Sequence, residues 1–159
     1  MPAKIKKSGL IIRKAELHDI RAIYGIINPY SKEGIILKRT KKDIRRSIDT
    51  FLVAEHNKSI LGTISYHDYG EHLKEIRSLA VAKEHFCKKI GSKLVKELIK
   101  SLRKKNNSRI FVLTYSPDFF IKNKFVKEPK EKFPEKIWKD CRMCRNSGDC
   151  AETALVYAK

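Results

Sequence analysis

Long apolar runs are missing from this sequence of 159 residues. None approaches the roughly 20 residues that a bilayer-spanning helix requires, so no membrane partner is expected. The basic stretch 1–8 is followed only by Leu10 to Ile12 as an apolar segment. That is far too short for a signal core, and a cytoplasmic address follows as the default. Internal repeats, low-complexity linkers and compositional breaks are missing too. One domain over residues 1–159 is therefore expected, with 1–8 as a flexible basic N-terminus.

Acidic residues are scarce: 18 Asp and Glu stand against 36 Lys and Arg, a formal net charge of +18. Clustered cations neutralise phosphates, so a nucleic-acid binder has to be weighed. Recognition motifs and base-stacking aromatic clusters are absent, however, and the lysines run along the whole chain. The charge is read instead as a basic surface suited to an anionic cofactor and an acidic substrate. Cysteines are few: Cys87, Cys141, Cys144 and Cys150. Without a secretory signal, disulfides are not the first explanation. Cys141, Cys144 and Cys150 have metal-like spacing, but a closed zinc site needs a fourth ligand. Cys87, Asp140 or a histidine could supply it, and none is fixed by the sequence. A thiol pair or buried small apolar residues also fit, and are favoured over zinc.

What is present is strongly patterned. Leu10 to Lys14 reads as a strand, and His18 to Asn28 as a helix with Ile20, Ile23, Tyr24 and Ile27 at helical spacing. Asn28-Pro29 should end it, because the residue before proline avoids the helical region. Thr40 can cap a second helix with Ile44 and Ile48 on its apolar face. Three strands follow as an antiparallel meander: Thr50 to Glu55, Ile60 to Tyr66 after an Asn57-Lys58 turn, and Lys74 to Val81 after a polar connection over His67 to His72. Ile90, Leu94, Val95, Leu98, Ile99 and Leu102 form one stripe of a long helix from Ile90 to Lys104.

Arg109 to Tyr115 is an apolar strand of the buried type. Ser116-Pro117 predicts a short helix capped by the serine, ending near Asn123. Phe125 to Lys127 is a strand candidate, Phe133-Pro134 opens a brief helix through Asp140, and Thr153 to Ala158 alternates as a last strand. The order is β-α-α-β-β-β-α-β-α-β with a final strand. A helix between two buried strands implies a parallel pair. The fold class is α/β (α+β): a mixed, mostly antiparallel sheet flanked by helices, with that pair around the long helix.

This order resembles the GNAT acetyltransferase superfamily over nearly the whole chain. The stretch that carries the resemblance is Leu79-Ala80-Val81, a short loop, then Ile90-Gly91-Ser92-Lys93-Leu94. The resemblance implies that acetyl-CoA serves as acyl donor, with its pyrophosphate at Lys88, Lys89, Ile90, Gly91 and Ser92, where backbone amides meet a helix dipole. The family loop reads Arg or Gln, two residues, Gly, one residue, Gly or Ala. Phe86, Lys89 and Gly91 occupy those positions, so only the last is kept. Lys88, Lys89 and Lys93 crowd the helix start, where the macrodipole disfavours cations and a bound polyanion would offset the cost. The alternative is a set of solvated lysines.

A narrower resemblance is to N-acetylglutamate synthases of the short, single-domain type. It rests on Ile12-Arg13-Lys14-Ala15, Pro29-Tyr30, Gly34 to Thr40, Phe51 to Glu55, Glu75 to Val81, Phe111 to Tyr115, Phe119-Phe120 and Phe133 to Cys141, in that order. It implies transfer of acetyl from acetyl-CoA to the α-amine of L-glutamate, a step of arginine biosynthesis, with no covalent enzyme intermediate. Amides near Ser78 to Ala80 would stabilise the carbonyl oxygen. The segment Leu37-Lys38-Arg39-Thr40 matches the family's glutamate-binding loop. Arg39 is the first choice for a carboxylate, because guanidinium grips it with two parallel hydrogen bonds. An exposed basic loop is the alternative. Lys38 is a weaker choice. Arg77 is a further one, unless it pairs with Glu75 or Glu55.

Glu75 is the candidate base, with a solvated or ion-paired residue as the alternative; His67 and His72 are further options. The family's thiolate-protonating tyrosine position falls on Phe120, which cannot donate, so Tyr115 is the candidate nearby. Competing functions are acetyl transfer to another amino acid or a protein amine, and a non-catalytic acyl-CoA or nucleic-acid binder. Oligomeric state is not legible.

Overall fold

The computed structural model describes residues 9–86, 89–133 and 152–158. Its elements are β1 (Leu10–Lys14), α1 (Ile20–Lys32), α2 (Lys41–Arg46), β2 (Phe51–His56), β3 (Ser59–Asp68), β4 (Leu73–Val81), α3 (Ile90–Lys105), β5 (Arg109–Thr114), α4 (Pro117–Lys122), β6 (Phe125–Lys127) and β7 (Thr153–Tyr157). The strands form one seven-stranded sheet in the order β1-β2-β3-β4-β5-β7-β6. It is mostly antiparallel, and β4 with β5 is the parallel pair. The mixed α/β class and the crossover through α3 are as the sequence implies. The chain divides into two compact units, 1–67 with 76–106, and 68–75 with 107–159, so the dividing line falls inside β4.

In the first unit β1 pairs antiparallel with β2, and β2 with β3. Asn57 and Lys58 both take positive φ, 47° and 65°. Two left-handed residues give a turn whose twist matches that of the flanking strands. One core joins Ile20, Ile23 and Ile27 of α1 to Ile44 of α2, Phe51 and Val53 of β2 and Ala80 of β4. The six stripe residues of α3, Ile90, Leu94, Val95, Leu98, Ile99 and Leu102, are all buried. Each contributes about 2 kcal/mol of hydrophobic stabilisation. The stripe lies over Gly62, where an added Cβ would sit 3.0 Å from Leu94 Cδ1 and 3.2 Å from the Ala80 carbonyl.

Arg13 ties this unit's edge together. Its guanidinium donates to both Asp19 oxygens, at 2.8 and 3.0 Å, and to Glu55 at 2.6 Å. Burial alone would raise the Asp19 carboxyl; hydrogen bonds from Arg13 and the Glu16 N–H outweigh it and hold the group below its ordinary value. Glu55, considered above as a partner for Arg77, is thus taken by Arg13.

In the second unit Leu73, Lys74 and Glu75 of β4 lie in parallel register with Arg109, Ile110 and Phe111 of β5. β7 pairs antiparallel with both β5 and β6. Its core is Leu73, Phe111, Phe133 and Ala154.

Three local expectations need correction. Helix α1 does not stop at Asn28-Pro29 but runs to Lys32. Pro29 sits in its last turn, and the next residue is held from outside the helix: the Tyr30 hydroxyl donates to the Val81 carbonyl at 2.6 Å. The helix then ends at Gly34, whose φ of 75° supplies the left-handed residue such an end needs. His67 belongs to β3 rather than to the connection after it. Pro117 does open α4, but the Ser116 side chain caps nothing; its N–H donates to the Thr114 hydroxyl at 2.9 Å.

Candidate active site

The strand-loop-helix segment of the first unit carries two residues in costly backbone conformations. Ser78, in the middle of β4, has φ of 52°, and Lys89, just before α3, has φ of 60°. A non-glycine residue in this region costs roughly 1–2 kcal/mol. Ser78 is 6% exposed, and its hydroxyl has no hydrogen-bond partner. The Ser65 hydroxyl donates to the Arg77 carbonyl at 3.2 Å on its N-terminal side. After Ser78, Leu79 and Val81 are half-buried and Ala80 is buried.

The chain then turns through Lys83–His85, anchored where the Ala82 N–H donates to the Leu61 carbonyl at 2.8 Å. Lys89 takes the N-cap position of α3. No side chain caps that helix, and no acidic residue lies in its first turn. Helix α2 is the contrast. There Thr40 and Asp43 form a reciprocal capping box, the Asp43 N–H donating to the Thr40 hydroxyl and the Thr40 N–H to the Asp43 carboxylate. The 16-residue helix thus opens with no cap from its N-cap side chain and no acidic residue in its first turn, beside the exposed Lys89 and Lys93. A phosphate-bearing ligand fits this arrangement.

A latch in the same unit joins the end of α1 to the end of β4. Besides the Tyr30–Val81 bond, the Lys83 ammonium donates to Glu33 at 2.6 Å and lies 5.6 Å from the centre of the Tyr30 ring. The hydrogen bond to Glu33 holds Lys83 above its ordinary value. Burial raises the Tyr30 phenol. The next segment carries Leu37 and Lys38, both exposed, and Arg39, half-buried directly before the α2 cap. Asp43 sits below its ordinary value through the Thr40 N–H and hydroxyl, with Arg39 and Arg46 adding to it.

In the second unit Glu75 is 2% exposed, and its Oε2 accepts a hydrogen bond from the Tyr69 hydroxyl at 3.0 Å. Tyr115 follows the end of β5 and is 41% exposed.

The model of the acetyltransferase (GNAT) family matches residues 16–123. The chain belongs to that family. An uncharacterized N-acetyltransferase of Chlorobaculum tepidum is 39% identical over 145 residues, 91% of this chain and 94% of that protein. An amino-acid acetyltransferase of Shewanella oneidensis is 28% identical over 134 residues, 83% of this chain but 30% of that protein. Among solved structures, N-acetylglutamate synthase from Neisseria gonorrhoeae, complexed with coenzyme A and N-acetyl-glutamate, matches with a TM-score of 0.84 and 27% identity. The match covers 95% of this chain and 35% of that one. The chain therefore spans well under half the length of these last two.

Within this GNAT acetyltransferase the structure brings Leu79, Ala80, Val81, Lys89, Ile90, Gly91 and Ser92 into one strand-loop-helix segment. Cys87 and Lys88 lie outside the described residues, as do Cys141, Cys144, Cys150 and the helix expected through Asp140. Among the described residues no group of three or more His, Cys, Asp or Glu could hold a metal ion, and no helix is long and apolar enough to cross a membrane. Sequence reasoning missed Glu33, Lys83 and Tyr69, and gave Tyr30 no role beyond its place in the Pro29-Tyr30 segment. That segment lies where the helix was expected to have ended.

Proposed function

We propose that this acetyltransferase moves acetyl from acetyl-CoA to the α-amine of L-glutamate, in the cytoplasm and as a step of arginine biosynthesis. The observation that carries the donor half is the α3 start: an uncapped helix opened by a left-handed, cationic residue. Its amides at Ile90, Gly91 and Ser92, with the Lys88 and Lys89 charges, would take the pyrophosphate. Left-handed Lys89 takes a backbone conformation that glycine adopts freely, which supports this reading despite the loss of the family's glycine.

The acceptor half rests on Arg39, which would clamp a glutamate carboxylate through two parallel hydrogen bonds, with Leu37, Lys38, Arg77 and Ser78 as further contacts. Glu75 would remove one proton from the ammonium, directly or through water. The neutral amine then forms the N–C bond as the C–S bond breaks, and its second proton ends on the departing sulfur, with Tyr115 as the candidate donor. Amides of Ser78 to Ala80 would stabilise the charge on the carbonyl oxygen; the left-handed backbone of Ser78 within β4 supports this, since it turns the chain off a regular course there.

A second reading, another amine as acceptor, has its own support. The chain covers 94% of the Chlorobaculum N-acetyltransferase but 30% of the Shewanella amino-acid acetyltransferase. Thiol release from acetyl-CoA with a panel of amino acids and a peptide N-terminus separates the two. Release with glutamate alone is expected. Release only with another acceptor would transfer the proposal to that amine, and no release with any of them would end it.

A further inference from the structure

Glu75 does not stand alone in the second unit. Its carboxylate is held by a phenol that is itself held. The Tyr69 ring stacks on Phe111 with centres 6.1 Å apart, and Phe111 stacks on Phe133 at 4.4 Å. The Arg109 guanidinium closes the far end, 5.2 Å from the Phe133 ring centre. Phe111 is also the residue opposite Glu75 in the β4–β5 register.

The segment carrying Tyr69 is pinned on both sides. Its N–H donates to the Leu73 carbonyl at 3.0 Å. The buried Lys74 ammonium donates to Asp68 at 2.6 Å and also to the Gly70 carbonyl. The Ser108 hydroxyl donates to the Glu71 carbonyl, and the Arg109 N–H to that of His72. A surface connection between two strands ordinarily needs neither a buried lysine nor an aromatic stack. Here both restrain one hydroxyl against one carboxylate oxygen.

We infer that Tyr69 is a positioning residue for acetyl transfer. Its phenol donates to Oε2 and so helps fix the orientation of the Glu75 carboxylate, which receives the acceptor's proton. The inference rests on the reading of Glu75 as the base. No atom of Tyr69 enters the balance; the proton passes from nitrogen to Glu75 and on to water.

A double-mutant cycle tests it, read as thiol release from acetyl-CoA with L-glutamate or whichever acceptor proves active. Tyr69→Phe keeps the ring stack and removes only the hydroxyl, so the fold is retained; thermal melting of each variant checks this. Tyr69→Phe is expected to lower kcat about tenfold, the worth of one hydrogen bond to a charged group, with both KM values within about twofold. In a Glu75→Gln background the same change should have no further effect, because there is no longer a base to orient.

Unchanged kcat in Tyr69→Phe, or a loss that adds in full to that of Glu75→Gln, overturns the inference while the function stands. Full turnover in Glu75→Gln removes the base and the inference with it. A wild-type protein that acetylates no amine overturns both.

Discussion

The Tyr30 hydroxyl donates to the Val81 carbonyl at 2.6 Å, across 51 residues of sequence. The bond joins the last turn of α1 to the last residue of β4, the strand that leads into the loop before α3. Tyr30→Phe leaves the carbonyl without this donor, and we expect a loss of about 1 kcal/mol. The urea midpoint should fall with an unchanged m-value; an unchanged midpoint would mean water replaces the hydroxyl at no cost.

Lys89 holds a backbone conformation that glycine adopts freely. Lys89→Gly is expected to stabilise the fold by about 1 kcal/mol, whereas Lys89→Ala, which keeps a Cβ, gains nothing of the kind. Comparing the two melting temperatures isolates the backbone term from the loss of charge. Coenzyme A titration of Lys89→Ala against the wild type then reports what the ammonium contributes to the ligand.

Gly62 leaves no room for a side chain beneath α3. A Cβ would come within 3.1 Å of Ile90 Cγ2 as well as 3.0 Å of Leu94 Cδ1. Gly62→Ala should cost roughly 1–3 kcal/mol through overpacking. Because Ile90 is the first residue of α3, coenzyme A affinity should weaken alongside stability. Lost stability with full affinity would show that the helix start does not move.

Asp19 sets an acid limit on the first unit. Its folded carboxyl lies below the ordinary 3.8. Its stabilisation is therefore complete above that pH and is lost as pH falls through the folded value. Asp19→Asn should lower stability at neutral pH and flatten the fall of unfolding free energy below about pH 4. Chemical denaturation at several acid pH values reads the slope directly. A slope equal to that of the wild type would assign the acid limit to other carboxylates.

Arg39→Ala tests the acceptor proposal. Loss of a charge-assisted pair of hydrogen bonds should raise the KM for glutamate by roughly tenfold to a hundredfold. The KM for acetyl-CoA should stay nearly constant. Equal changes in both would count against a carboxylate contact.

Helix α3 is legible from its periodicity alone. All six residues of its apolar stripe are buried, and the helix opens at Ile90 as the spacing predicts. The turn at Asn57-Lys58, the cap at Thr40 and the proline opening α4 are likewise local signals. The site is less legible. Nothing in Ser78 or Lys89 as residue types announces a left-handed backbone, since neither is glycine. Nothing near Tyr69 in the sequence announces a partner for Glu75.

Most helices and strands among the described residues are readable from the sequence, because burial periodicity, caps and turn residues act over a few neighbours. The sequence by itself also determined the parallel pair, through the single long helix between two apolar strands. The tertiary structure decided the rest. It placed β7 between β5 and β6, carried α1 past Pro29 to Tyr30, took Glu55 for Arg13, and set a phenol on the buried Glu75. Each depends on packing against partners distant in sequence, as the Tyr69 ring does on Phe111, and no local pattern encodes that.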